Sequence, residues 1–94
     1  MLFTIYCRDK ADGLELRKAT RPAHIEYLKA FAESFVFAGP LLADDGETPI
    51  GSVLVVELED KAAAEAFAAG DPYAKAGLFA ATSITGVRQV FPAS

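Results

Sequence analysis

The sequence predicts an α+β domain in the ferredoxin-like order βαββαβ. Three observations lead there. Leu2 to Arg8 alternates with a period of two, Phe3, Ile5 and Cys7 on one side and Leu2, Thr4, Tyr6 and Arg8 on the other. An amphipathic helix follows the start signal Thr20-Arg21-Pro22. A Val- and Leu-rich strand, Gly51 to Glu59, lies between the Asp45-Gly46 turn and an alanine-rich helical segment.

Each element has its own justification. Asp9 to Gly13 is polar and reads as a turn, and Leu14 to Ala19 supplies a helical turn or two. The main helix is expected from about Pro22 to Ser34, because proline is tolerated in a first turn, where its missing N–H is not needed. At 100° per residue Leu28, Phe31, Ala32 and Phe35 share a stripe that includes His24, and Glu26, Lys29 and Glu33 lie opposite. Val36-Phe37-Ala38 reads as the second strand, interrupted by Gly39-Pro40, with Leu41-Leu42 as a continuation. Asp60 caps a helix over Lys61 to Ala69, and Gly70 suits its end. Asp71-Pro72 restarts a short helix, Tyr73 to Ala76, which Gly77 ends. Ser83 to Phe91 is the last strand, with Gly86 as a candidate bulge.

Two helices cover only one face of such a sheet. Yet Leu2, Tyr6, Val53 and Val55 make the other face apolar too. Leaving apolar surface wet costs roughly 25 cal/mol per Å². The expected cover is the same face of a second copy, giving an isologous homodimer; the C-terminal segment folding back is the alternative.

Composition sets the outer limits. The 94 residues fit a single domain over residues 1–94. An apolar fraction of 52% is too high for a disordered chain. No apolar run approaches the ~20 residues of a membrane helix, and the N-terminus has no signal-peptide pattern, so a cytoplasmic protein away from membranes is expected. Nine basic residues scattered through a chain of net charge −4 argue against nucleic-acid binding. One cysteine makes neither an internal disulfide nor a zinc cluster.

His24 is the only histidine, so chemistry near neutral pH points to it first. The alternative is a core histidine satisfied by a carbonyl and a carboxylate. Arg21 and the helix start, placed close by, disfavour a permanently charged imidazolium. Asp71 reads as a helix cap whose free oxygen can also orient an imidazole, if the two helices lie side by side. Arg21, Arg8, Arg17 and Tyr73 are candidates for an anionic substrate, against the usual role of arginines as surface charges. Gly39-Pro40 would let a ligand approach the second strand, unless it is a simple kink. Cys7 reads as a small core residue, with His24 the only base that could activate it. Ser34, Ser52 and Ser83 lack a nucleophile-elbow pattern. Asp44, Asp45 and Glu47 read as a solvated turn rather than a cation loop.

Four stretches resemble the YciI-like (YCII-related) family along nearly the whole chain. They are Met1-Leu2-Phe3-Thr4-Ile5-Tyr6, then Leu16-Arg17 with Thr20-Arg21-Pro22-Ala23-His24-Ile25-Glu26-Tyr27-Leu28, then Ala38-Gly39-Pro40-Leu41, then Asp71-Pro72-Tyr73-Ala74-Lys75-Ala76-Gly77-Leu78-Phe79. The resemblance implies a dimeric α+β barrel of ferredoxin-like units. It also implies an active-site pair, which falls here on His24 and Asp71. A few relatives of that family act on lactones from aromatic-compound breakdown, as dehalogenases or as muconolactone-isomerase-like enzymes.

The expectation is therefore a small enzyme without cofactor or metal. His24 would be its acid or base, Asp71 would orient it, and Arg21, Tyr73, Gly39 and Pro40 would bind a small, anionic carbonyl or lactone-type compound. The reaction would be isomerisation or elimination, including loss of halide. The rivals are a non-catalytic metabolite-binding dimer and a structural dimer locked by a buried His24–Asp71 contact.

Overall fold

Alternating strands and capped helices assemble in the expected order in the computed structural model, which describes residues 1–93. The elements are β1 (Leu2–Asp9), α1 (Leu14–Lys29), a 3₁₀ turn (Ala32–Ser34), β2 (Phe35–Leu42), β3 (Pro49–Glu57), α2 (Lys61–Gly70), α3 (Pro72–Lys75) and β4 (Phe79–Val87). One antiparallel sheet has the strand order β2-β3-β1-β4, with the helices on one face. The ferredoxin-like α+β class is as expected.

The period-two alternation of β1 sets the core. Phe3, Ile5 and Cys7 are buried with Leu54 and Val56 of β3, which the register places opposite or diagonal to them. Phe67 of α2 seals this layer at the centre of an aromatic cluster. Tyr27, Phe31 and Phe35 lie with ring centres 5.3, 4.8 and 5.9 Å from it.

Several boundaries differ from expectation. The main helix starts at Leu14, eight residues before Pro22, and runs through that proline. Pro22 is exposed, so the Lys18 carbonyl that loses its partner faces water rather than the core. The helix stops at Lys29, not Ser34. Phe31 leaves the helical region at φ −115°, and the aromatic stripe continues into the 3₁₀ turn and β2 because Phe67 is its target. Gly39-Pro40 does not interrupt β2: this is an edge strand, and an edge tolerates a missing donor. β4 spans Phe79–Val87 rather than Ser83 to Phe91, and Gly86 is not a bulge. It pairs in register with Phe3, and the space beside it holds the Met1 side chain; the irregularity lies at Arg8/Asp9. Asp60 caps α2 by accepting from the Ala63 N–H, as expected.

The opposite face of the sheet is open and apolar. Val36 and Phe37 are about half exposed, at 51% and 52%, and Tyr6 and Val87 are exposed beside the partly covered Val53 and Val55. The C-terminal segment does not cover it. Val90 and Phe91 remain 77% and 79% exposed and skirt only the end near Leu2 and Val87. No helix among the described residues is long and apolar enough to cross a membrane.

Close strand contact makes Gly51 a test of this packing. A Cβ there would lie 2.3 Å from the Cys7 carbonyl oxygen, against backbone that cannot rotate away. Gly51→Ala is expected to destabilise the fold by about 3 kcal/mol, the upper part of the overpacking range. Thermal melting should fall by more than about 12 °C. Gly39→Ala, whose Cβ meets nothing within 4 Å, is the comparison and should shift stability by less than about 1 kcal/mol.

Candidate functional site

Helix α1 is the spine of the site. Because it is continuous, Arg17, Arg21, His24 and Leu28 follow one another at spacings of four, three and four and share one face. That face looks toward β2 and β3. The helices stop short of β2, so Ala38 and Pro40 stay exposed even though they pair with the core-facing Leu54 and Ser52. The gap is a cavity of about 220 Å³ between α1, the Ala38–Pro40 stretch, Pro49, Ser52 and Tyr73.

His24 and Asp71 meet. Nδ1 of His24 lies 2.8 Å from Oδ1 of Asp71, and the two residues are only 7% and 3% exposed. The same oxygen accepts the Tyr73 backbone N–H at 2.9 Å, the cap of α3. Cap and imidazole partner are thus one carboxylate oxygen. An ionised carboxylate only accepts, so Nδ1 carries a hydrogen and the neutral ring presents the Nε2 lone pair. Nε2 bonds to no described residue, and no buried side-chain nitrogen or oxygen lacks a partner, so this atom opens on the cavity that His24 lines.

Tyr73 holds the ring from the side. Its own ring stacks on the imidazole with centres 4.0 Å apart and planes 21° from parallel. Burial raises the Tyr73 phenol above its usual range, Arg17 and Arg21 pull it down, and Asp71 pushes it up; the net shift is upward. The hydroxyl is therefore a neutral donor at physiological pH.

A second buried cluster adjoins the first. Arg17 donates from Nε and Nη2 to both oxygens of Asp9, at 2.7 and 2.9 Å, and from Nη2 to Ser52 Oγ at 2.8 Å. Its Cζ lies 4.5 Å from the Tyr73 ring centre. Burial disfavours the Arg17 charge, but Asp9 more than offsets this and the net shift of the guanidinium is upward.

The structure brings His24, Asp71, Arg21, Tyr73, Gly39 and Pro40 to this one place: Asp71 behind the imidazole, Arg21 exposed at the rim, the others on the wall. Arg8 lies elsewhere, donating to Tyr6 Oη at 3.2 Å on the open sheet face. Arg17 is not a surface charge, and Ser52 and Asp9 belong to the site although neither was expected there. The signal for Arg17 was its spacing of seven from His24, hidden when the helix was started at Pro22. The longer helix also removes the expected dipole effect on His24, which lies well beyond the first turn. The Asp44–Glu47 segment is a turn in which Asp45 accepts from the Glu47 and Thr48 N–H groups and the Thr48 hydroxyl. Those bonds lower its carboxyl to about 2.

These features define a class: a ferredoxin-like α+β protein with an imidazole–carboxylate pair opening on a small cavity beside a buried arginine. A model of the YCII-related domain matches residues 1–88, and the chain belongs to that family. It is 39% identical to "Protein YciI" of Escherichia coli O6:H1 and of Shigella flexneri, in each case over 97% of this chain and all of the relative. An uncharacterised Haemophilus influenzae protein is 36% identical over the same shares. Among solved structures the chain is similar to the 5-chloro-2-hydroxyhydroquinone dehydrochlorinase TftG of Burkholderia phenoliruptrix AC1100, in complex with 2,5-dihydroxybenzoquinone. The TM-score is 0.86, with 34% identity over 94% of both chains. This likeness is consistent with a small-molecule enzyme.

Cys7 lies in the core beneath the site, where burial pushes its thiol from the ordinary 9.0 up to about 11. A thiol raised in this way favours the folded state fully below about 9, and that contribution is lost as pH rises through about 11. Native protein at pH 8 should react with a thiol-specific disulfide reagent at least about a hundredfold more slowly than unfolded protein, given the raised pKa and the burial. Equal rates would show that Cys7 is accessible and ionisable.

Proposed function

We propose that the chain is a small enzyme in which His24 acts as general base or acid on a small anionic ligand, with Asp71 as its positioning residue. The observation that carries this reading is the imidazole tethered at Nδ1 by Asp71, with its free Nε2 opening on a cavity. A buried imidazole with one nitrogen fixed and the other available suits proton transfer. A structural lock would not need that opening.

The cavity bounds the ligand. About 220 Å³ holds roughly seven waters at ~30 Å³ each, below the ~300–1,000 Å³ of typical drug-sized sites. A single substituted ring or a lactone matches that space. Exposed Arg21 at the rim favours an anion, Tyr73 offers an aromatic wall, and the Gly39-Pro40 edge closes the far side.

Two reactions fit. In elimination, Nε2 takes a proton from an O–H or C–H of the ligand, the freed pair forms a π bond, and the carbon–chlorine bond breaks with chloride leaving on its own pair. In isomerisation, the same proton returns to a different carbon of the same molecule. Neither requires an electron acceptor or a cofactor. The dehydrochlorinase named above, at 34% identity, supports elimination from a chlorinated hydroxyhydroquinone as the first substrate to try.

The decisive comparison is wild type against His24→Gln, with chloride release from 5-chloro-2-hydroxyhydroquinone and double-bond migration in a small unsaturated lactone as readouts. A general base contributes about 10²–10⁴-fold, and kcat/KM should fall by that factor with the melting transition intact. Asp71→Asn should lower kcat and shift the pH profile, as a positioning residue requires. Binding of 2,5-dihydroxybenzoquinone without turnover in wild type would make the protein a binding module. Loss of folding in His24→Gln, with no ligand bound by wild type, would make the pair structural.

The same reading includes a homodimer through the open sheet face, supported by the half-exposed Val36 and Phe37 beside Tyr6, Val53 and Val55. Light scattering should give twice the 10.0 kDa chain mass, and Phe37→Asp should halve it. A wild-type monomer at micromolar concentration would contradict this assembly.

A further inference from the structure

Two buried donors in the cavity are left over after the hydrogen bonds of Arg17 are counted. Nε and Nη2 are occupied by Asp9 and Ser52, whereas Nη1 has no protein partner among the described residues. Arg17 is 5% exposed and lines the cavity, and no sealed side-chain nitrogen lacks a partner, so Nη1 faces that space. Ser52 is 3% exposed and lines it too. Its Oγ accepts from Arg17, which turns the hydroxyl hydrogen away from the guanidinium, and no described residue accepts that hydrogen. The His24 ring and the Arg17 guanidinium carbon both lie within 4.5 Å of the same Tyr73 ring centre, so base and donors adjoin one small volume.

We propose that Arg17 Nη1 and the Ser52 hydroxyl form an oxyanion subsite opposite His24 Nε2, taking the phenolate or enolate oxygen of a single-ring ligand. The assignment rests on His24 being the base. When Nε2 removes a proton from a conjugated ring, the electron pair moves through the π system and the negative charge settles on a ring oxygen. Donors waiting at that oxygen stabilise the charge where it develops. The ligand class follows from the charge balance. Asp9 already neutralises Arg17 through two hydrogen bonds, so the subsite has donors to give but little net positive charge. A singly charged, delocalised oxyanion suits it; a phosphate dianion does not. The apolar side chains of Leu14, Ile25 and Leu28 in the same wall favour a ring over a hydrated ion.

The probe is 4-nitrophenol, which is coloured only as its anion. Bound to wild type, it should ionise at lower pH than in free solution, and inorganic phosphate should not displace it. This measurement needs no variant. Ser52→Ala should weaken 4-nitrophenolate binding at least about tenfold, the loss expected for one hydrogen bond to a charged oxygen, while binding of the neutral ether 4-nitroanisole stays unchanged. Unchanged phenolate affinity in Ser52→Ala, no ionisation shift in wild type, or displacement by phosphate would each overturn the subsite. The base reading fails separately. If His24→Gln keeps full turnover while Ser52→Ala loses phenolate affinity, the subsite stands and the base does not. If His24→Gln abolishes turnover and Ser52→Ala binds phenolate normally, the base stands and the subsite does not.

Discussion

One carboxylate oxygen organises this molecule. Oδ1 of Asp71 accepts from the Tyr73 N–H at 2.9 Å and from His24 Nδ1 at 2.8 Å. The first bond caps α3, and the second ties that helix to α1. Together they leave the imidazole no choice of tautomer, because an oxygen that already accepts a backbone hydrogen has only lone pairs to offer. Tyr73, fixed by the same cap, stacks on the ring and prevents it from tilting. Helix capping, inter-helix docking and ring orientation are one local event here.

The Arg17 cluster plays the corresponding part on the other side of the cavity. It links β1 through Asp9, α1 through Arg17 and β3 through Ser52, all at low exposure. Burying such a pair is costly, and breaking it by removing one partner typically costs about 3–5 kcal/mol, because the survivor is left charged and unpaired. A chain of this size builds its core from few large side chains, and hydrophobic residues could have filled the space with less desolvation. Two polar clusters meeting at one tyrosine therefore point to a site kept for what it binds.

Much of the fold was legible in the primary structure because the signals were local. Alternation in β1, the Asp60 cap and the Asp71-Pro72 restart each depend on neighbours a few residues away, and each has the expected geometry. The misplaced ends share one cause: a local stop signal overruled by tertiary placement. Pro22 looks like a helix start but sits on the solvent side of a longer helix. Gly39-Pro40 looks like a break but lies on a sheet edge. The His24–Asp71 contact was legible because it joins two helices that the topology packs side by side. Asp9 and Ser52 were not, because their partner Arg17 becomes an inward residue only once α1 is known to pass through Pro22. Which atoms of Arg17 stay free is a matter of three-dimensional hydrogen-bond geometry that no spacing encodes.

Family membership and the likeness to a dehydrochlorinase fit this arrangement without deciding its chemistry, which turns on which imidazole nitrogen is free. The chain has a single histidine, so its ring nitrogens can be read without assignment ambiguity. Two-dimensional ¹⁵N–¹H correlation of the imidazole at neutral pH, in labelled protein, should show a protonated Nδ1 and a bare Nε2, and Asp71→Asn should erase that preference. A hydrogen on Nε2 with a bare Nδ1 would contradict the account at its centre.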